Sequence, residues 1–126
     1  MNKILIKGYF KNSDTNEKIK YDTIGYLMNK TIKFKVNNTN LKIKLNNNTP
    51  LFIKEDEQTI LKNKFLLNKE TICEYYLKQE NITLEIPIIT KKIINNNNII
   101  EIEYYLLTDR QNKIKNILHI EYEVLI

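Results

Sequence analysis

The chain has 126 residues, of which 42% are hydrophobic, and a formal net charge of +5. This length predicts one domain spanning residues 1–126 and excludes a second large core. The charge comes from 19 lysines and one arginine, Arg110, beside 22 isoleucines and 19 asparagines. Nucleic-acid surfaces favour arginine, which reads phosphate and guanine bidentately. The codons of isoleucine, asparagine and lysine are A/T-rich, so the base composition of the genome explains much of the excess of lysine. Solubility is therefore the favoured reason for the positive charge, and nucleic acid is the less favoured partner.

The single cysteine, Cys73, excludes an internal disulfide and is typical of a reducing compartment. Residues 1–8 contain no long apolar run before their charges, so no signal peptide is expected. No segment approaches the roughly 18 apolar residues of a membrane span. The sequence predicts a cytoplasmic protein without a membrane partner, and it gives no oligomeric state.

Apolar and polar residues alternate along most of the chain, and a side-chain period of two predicts strands with one buried face. Clusters rich in asparagine separate the alternating runs, and asparagine tolerates the left-handed conformation that turns need. In chain order, the predicted strands are 3–11, 18–28, 31–37, 40–46, 51–55, 59–67, 70–78, 81–93, 98–108 and 113–125.

Short strands joined by short loops predict an all-β, antiparallel, up-and-down barrel of 8–10 strands. Closure removes the two open edges and covers the apolar face. A two-sheet sandwich is the alternative, although it favours longer crossover loops. Residues 55–67 could also form an apolar helical stripe, but their composition favours a strand. The expected inward residues are Ile19, Tyr21, Thr23, Gly25, Leu27, Ile32, Phe34, Val36, Leu41, Ile43, Leu45, Ile82, Leu84, Ile86, Ile88, Ile100, Ile102, Tyr104, Leu106, Leu118, Ile120, Tyr122 and Val124.

The last hairpin allows a prediction of register. A three-residue loop at 110–112, with Asn112 left-handed, would place Asp109 opposite Lys113. The same register places Ile102 opposite Ile120 and Tyr104 opposite Leu118 inside the barrel. Outside, it places Glu103 opposite His119 and Glu101 opposite Glu121.

The densest group of titratable residues is an outer patch formed by Glu101, Glu103, Glu121, Glu123 and His119. Such a group could hold a metal or act in acid–base catalysis. Its solvated position favours an ordinary charged exterior, with Lys91 and Lys92 on the next strand as neutralising partners. Cys73 and His119 form no evident dyad, and the sequence contains no phosphate-binding loop or Cys-x-x-Cys motif. We therefore predict no catalytic residue, no metal site and no cofactor.

Aromatic residues in inward positions are the strongest functional signal. The candidates for lining a ligand-binding lumen are Tyr21, Phe34, Phe65, Tyr104 and Tyr122. A small barrel either fills its interior with such side chains or leaves room for one ligand. Buried tyrosine hydroxyls need hydrogen-bond partners, which indicates a polar interior. Core packing is the plainer interpretation of the same residues.

Three segments carry a family resemblance: residues 23–25, residues 82–93, and the hairpin containing residues 100–105 and 118–122. In these segments the chain resembles the uncharacterised YwiB-like family of small bacterial proteins. The resemblance implies a lipocalin-like (calycin) β-barrel and carries no activity with it. Family members have a Thr-Pro-Tyr-Gly-like turn before the middle strand, whereas this chain has Leu77-Lys78-Gln79-Glu80-Asn81. If that turn shapes a ligand mouth, the mouth of this chain differs.

Three functional hypotheses follow, and the one with the least weight is an enzyme that uses the outer Glu/His patch. The first is a non-catalytic cytoplasmic barrel that binds a small apolar or amphipathic ligand in its lumen. The second is an interaction protein that binds RNA or a protein partner through its lysine-rich exterior.

Overall fold

The computed structural model describes residues 1–46, 49–108 and 113–126. It contains ten strands: β1 (Asn2–Asn12), β2 (Glu17–Met28), β3 (Thr31–Val36), β4 (Thr39–Lys44), β5 (Leu51–Glu55), β6 (Thr59–Lys64), β7 (Glu70–Leu77), β8 (Ile82–Asn96), β9 (Ile99–Leu107) and β10 (Lys113–Val124). Residues 55–67 are therefore a turn, a strand and the start of a loop, as the residue composition favoured. Within the described ranges, no helix is long and apolar enough to cross a membrane.

Each strand pairs antiparallel with its neighbour in sequence, and β1 pairs with β10 to close the barrel. The predicted all-β, up-and-down architecture is confirmed, with ten strands. Closure satisfies the backbone groups that an open sheet would leave unpaired at its edges. The inward faces meet in one core whose fully buried members include Ile4, Ile43, Phe65 and Ile102.

Asparagine makes the turns, as the sequence indicated. Asn29 and Lys30 connect β2 to β3 with φ of 50° and 59°, and Asn97 and Asn98 connect β8 to β9 with φ of 51° and 61°. Two consecutive left-handed residues match the two-residue hairpin turn whose twist suits antiparallel strands. The chain thus forms tight hairpins with only two glycines.

The predicted register of the last hairpin is wrong by two residues. Ile102 pairs with Leu118, Tyr104 pairs with Asn116, and Glu101 pairs with His119. Because β9 ends at Leu107 and β10 starts at Lys113, the connection is longer than predicted. A shift of two keeps every side chain on its expected face, since the side-chain period is two. The left-handed conformation predicted for Asn112 lies outside the described residues.

Three residues predicted to face inward do so by register but remain exposed. Ile82 is 49% exposed, Leu84 47% and Val124 40%. The pairing of β8 with β9 starts at Ile88, so the hairpin of β7 and β8 extends beyond β9. Ile82 and Leu84 lie in that extension and have no partner on β9, whereas Val124 is the last residue of β10, at the other end of the barrel.

Candidate functional site at the Lys54 mouth

The interior aromatics predicted to bind a ligand form two packed pairs. The rings of Tyr21 and Phe34 meet edge to face with centroids 5.3 Å apart, and those of Phe65 and Tyr104 are 5.0 Å apart. All four residues are buried. Tyr122 is half-buried and lines cavities of about 330 and 350 Å³ at the opposite end of the barrel from Lys54. The structure therefore brings four of the candidates together as core and leaves Tyr122 apart.

Polar side chains lie in this core around Tyr104. The Nδ2 atom of Asn63 donates a hydrogen bond of 3.4 Å to the Tyr104 hydroxyl. The side-chain oxygens of Asn63, Thr90 and Asn116 are buried without a partner among the described residues. Burial raises the pKa of Tyr104, and it raises the pKa of Tyr21 to about 12. These side-chain oxygens are almost inaccessible to solvent. The middle of the barrel is therefore filled with packed side chains.

One end of the barrel differs because a lysine faces inward there. Among the lysines paired in the described strands, Lys54 is the one whose cross-strand partners, Leu41 and Leu61, both face the interior. Phe52 occupies the preceding inward position of β5 and is buried, which fixes the direction of Lys54 two residues later. Lys54 makes no ion pair with any residue in the described ranges.

A continuous row of inward-facing side chains runs through Lys54. Direct cross-strand pairs join Leu41 to Lys54, Lys54 to Leu61, Leu61 to Tyr75, and Tyr75 to Leu84. We call this row the Lys54 mouth. Since neighbouring strands lie about 4.8 Å apart, roughly 14 Å separates the positions of Lys54 and Leu84. The row therefore begins near the cation of Lys54, continues through apolar and aromatic side chains, and ends at the exposed Leu84.

A cavity of about 90 Å³ opens beside Lys54, and Ile19, Tyr21, Val36 and Leu41 form its apolar side. Tyr21 is among the lining residues, so one predicted lumen residue does reach this mouth. Sites that bind small amphipathic molecules are usually lined by apolar side chains with one or a few charged or polar groups.

Two turns form the rim next to this row. Lys78 Nζ lies 2.8 Å from Glu55 Oε2 and ties the turn after β7 to the end of β5. The Tyr76 hydroxyl donates a hydrogen bond of 2.7 Å to Asn81 Oδ1 across the same turn. Backbone N–H groups of Gln58 and Thr59 lower the pKa of Asp56, with a smaller contribution from Lys54. The turn at 77–81 thus helps to shape the mouth.

The Glu/His patch predicted on the outer surface lies there, with different partners. His119 Nδ1 is 2.9 Å from Glu101 Oε1, and its Nε2 is 3.2 Å from Glu121 Oε1. Lys92 Nζ lies 2.6 Å from Glu101 Oε2, as the neutralising role predicted for that strand requires. Lys91 occupies a bulge in β8 and is exposed. The described residues include no group of His, Cys, Asp and Glu arranged to hold a metal ion.

Cys73 is buried on the inward face of β7, opposite Asn63 and Ile86. Burial, together with the negative charge of Glu74, raises the pKa of its thiol to about 11. A thiol that stays protonated and inaccessible is a poor nucleophile. Its position gives it no part in the Lys54 mouth.

Sequence reasoning missed Lys54. The β5 segment Leu51-Phe52-Ile53-Lys54-Glu55 does not alternate cleanly, because Ile53 lies on the outer face. The signal that could have identified Lys54 is its spacing of two from Phe52, the aromatic residue that this strand buries. Even then, the row from Leu41 to Leu84 depends on the registers of four hairpins.

These features define a closed, ten-stranded antiparallel β-barrel with a filled middle and a partly apolar mouth. The fold is similar to that of the YwiB protein from Bacillus subtilis, whose crystal structure superposes with a TM-score of 0.65. That match covers 98% of this chain and 91% of the YwiB chain at 15% sequence identity, so the likeness concerns the fold. No protein-family model and no curated protein sequence matches the chain.

Proposed function

We propose that the chain is a non-catalytic, cytoplasmic binding protein that takes a small amphipathic anion at the Lys54 mouth. The carrying observation is the row in which Lys54, which has no ion pair with a described residue, lies next to Leu61 and is followed along the row by Tyr75 and Leu84. The anionic head of the ligand contacts Lys54, and its apolar part covers the side chains towards Leu84. The protein would thus bind a small ligand at one end of its barrel, as a lipocalin-like barrel does.

The position of Lys54 supports an anionic head. A cation beside apolar walls is less hydrated than one in open solvent, so an ion pair there is stronger than on the surface. Asp56 is engaged by the N–H groups of Gln58 and Thr59, at 2.8 Å each, which leaves Lys54 open to an added carboxylate, sulfonate or phosphate.

The exposure of Leu84 and Ile82 supports an apolar tail. Their inward-facing side chains remain nearly half exposed, and burial of apolar surface contributes about 25 cal/mol per Å². Because the barrel middle is filled, the tail lies along the extended β7–β8 hairpin and does not enter the space occupied by Phe65 and Tyr104. The proposal therefore places the ligand at the mouth of the lumen.

Titration with dodecanoate below its micelle concentration, followed by calorimetry, tests this proposal. The wild-type protein should bind dodecanoate and should not bind dodecyltrimethylammonium, which has the same tail and the opposite charge. Lys54→Gln should weaken dodecanoate binding about tenfold, the effect of losing one charge-assisted contact. Lys20→Gln, on the outer face of β2, removes the same charge and should leave the affinity within about twofold.

Equal binding of the two detergent-like ions, or equal affinity of the Lys54→Gln and Lys20→Gln variants, would refute the proposal. Native mass spectrometry of the protein purified from its own host supplies a second readout. A small acid that co-purifies with the wild-type protein and is absent from the Lys54→Gln variant would support ligand binding at the Lys54 mouth.

A further inference from the structure

Lysines are segregated around the barrel. The outward positions of β3, β4 and β6 carry Lys33, Lys35, Lys42, Lys44, Lys62 and Lys64, which we call the lysine face. None of these six forms an ion pair with a described residue. Across the barrel, Lys92 pairs with Glu101 at 2.6 Å, and Lys115 pairs with Glu103 at 2.9 Å. β1 also carries three lysines without an ion pair to a described residue, but β3, β4 and β6 together hold the larger share of the excess positive charge.

The centre of the lysine face contains a direct repulsion. Lys33 and Lys42 are cross-strand partners on the outer surface of β3 and β4. Like charges in this position destabilise a sheet. Lys11 with Lys18 and Glu74 with Glu85 are further like-charge pairs on this exterior, so the groove beside Lys33 and Lys42 is what distinguishes their pair. An anionic partner converts the repulsion into binding energy, as polyanions do when they release counterions on meeting clustered lysines.

A groove runs beside this pair. Pairing between β2 and β3 covers only Tyr26–Met28 and Thr31–Lys33, so the two strands diverge beyond it. Gly25 lets the strands stay close at the branch point, because a Cβ there would lie 2.5 Å from the Lys33 carbonyl oxygen. The resulting groove has a volume of about 380 Å³, and its lining includes Ile24, Tyr26, Lys33, Lys35, Lys42 and Ile53. Glu55 also lines the groove, and Lys78 neutralises its carboxylate at 2.8 Å.

The groove combines an exposed aromatic ring with cations. Tyr26 is 45% exposed and pairs directly with Lys33, and Ile24 is 47% exposed on the same face. Bases of single-stranded nucleic acids stack on such rings while lysines follow the phosphates. A bilayer surface, in contrast, favours protruding apolar side chains, and here the apolar residues line a recess. Lysine binds phosphate as a point charge, so recognition would follow the backbone and not the base sequence.

We propose that the lysine face binds single-stranded RNA without sequence specificity, with phosphates on Lys33, Lys35 and Lys42 and a base stacked on Tyr26. This site lies on the outer surface of β2–β6 and is independent of the Lys54 mouth. The spatial arrangement of the lysines, and not their number or the scarcity of arginine, favours a nucleic acid as the partner of this face.

Fluorescence anisotropy with a labelled oligouridine of roughly 12 nucleotides tests the proposal. The affinity of the wild-type protein should fall steeply between about 50 and 200 mM salt. The double variant Lys33→Gln/Lys42→Gln should bind at least tenfold more weakly, and its salt slope should be shallower by roughly 1.4, the value for two lost phosphate contacts on a single strand. The control Lys7→Gln/Lys113→Gln removes the same charge from exposed positions on β1 and β10 and should change the affinity less than about threefold.

Tyr26 separates stacking from charge. Tyr26→Leu should weaken binding about tenfold, whereas Tyr26→Phe should keep the wild-type affinity. Equal losses in the two lysine double variants would show that only net charge matters and would overturn the proposal. Sedimentation with vesicles containing phosphatidylglycerol is the remaining arm, and binding to vesicles without binding to oligouridine would also overturn it. Circular dichroism of each variant verifies that the barrel is intact.

Discussion

The Nδ1 atom of His119 lies 2.9 Å from Glu101 Oε1, and the two residues are direct cross-strand partners on β10 and β9. Tyr9 on β1 stacks on the imidazole with ring centroids 5.2 Å apart. The hydrogen bond from Lys92, followed by that from His119, lowers the pKa of Glu101. The outer patch is therefore a set of cross-strand ties between β8, β9 and β10.

These ties predict acid sensitivity. A carboxyl group whose pKa is lower in the folded than in the unfolded state stabilises the fold above its unfolded pKa, near 4.5, and loses that contribution as the pH falls through the folded value. At about pH 7, Glu101→Gln should lower the free energy of unfolding by about 1 kcal/mol, after allowance for solvent screening. The difference from wild type should shrink as the pH falls below about 4.5 and through the lowered pKa of Glu101, because the wild-type carboxylate then becomes protonated.

Urea denaturation of both proteins across this pH range measures the effect. Glu123→Gln is the control, since Glu123 is exposed and makes no ion pair within the described ranges. A difference between wild type and Glu101→Gln that stays constant with pH would contradict the assignment of the carboxylate's role.

Cys73 should be silent towards thiol reagents in the folded protein. Burial raises its pKa to about 11 from an ordinary value of 9.0, which lowers the thiolate fraction roughly a hundredfold before any steric protection. Modification by Ellman's reagent at about pH 8 should therefore be at least a hundredfold slower in buffer than in concentrated urea. Comparable rates in the two solutions would mean that β7 opens readily or that the thiol is accessible.

The buried hydroxyl of Thr90 should reduce stability. Its Oγ1 has no hydrogen-bond partner among the described residues, and the side chain is fully buried. Thr90→Val replaces the hydroxyl with a methyl group of similar shape and should raise the free energy of unfolding by about 1 kcal/mol. Thr90→Ser keeps the hydroxyl, loses the methyl group and should lower the same quantity. If Thr90→Val instead destabilises the protein, the hydroxyl contributes to stability and the prediction is wrong.

Gly8 should tolerate no side chain. A Cβ at this position would overlap the carbonyl oxygen of His119 on the adjacent strand. Because Gly8 pairs with Ile120 within the β1–β10 ladder, the obstacle is backbone and cannot rotate away. Gly8→Ala should lower the free energy of unfolding by about 3 kcal/mol or more, whereas Lys7→Ala, at the exposed neighbouring position, should change it by less than about 0.5 kcal/mol. The urea midpoints of the two variants provide the comparison. Similar midpoints would show that β1 and β10 can move apart at Gly8 to accept a side chain.

The predicted strands agree with the structure because alternation reports a local property of the backbone. Phe34, Ile43 and Ile102 all occupy the inward positions assigned to them, and each is buried. The misplaced register of β9 and β10 came from assuming a short loop, since strand pairing depends on loop length and not on alternation. Exposure of Leu84 escaped prediction because it depends on where the neighbouring strand β9 ends.

The sequence by itself determined the strands, their faces, the use of asparagine in turns and the outward position of nearly all charge. Only the tertiary structure decided which charges meet. It placed Lys92 beside Glu101 and Lys33 opposite Lys42, and it directed the side chain of Lys54 towards the interior at the mouth of the barrel. The physical reason is that a period of two is set within each strand by backbone geometry, whereas register, bulges and strand ends are set between strands. Both candidate sites depend on those relations between strands.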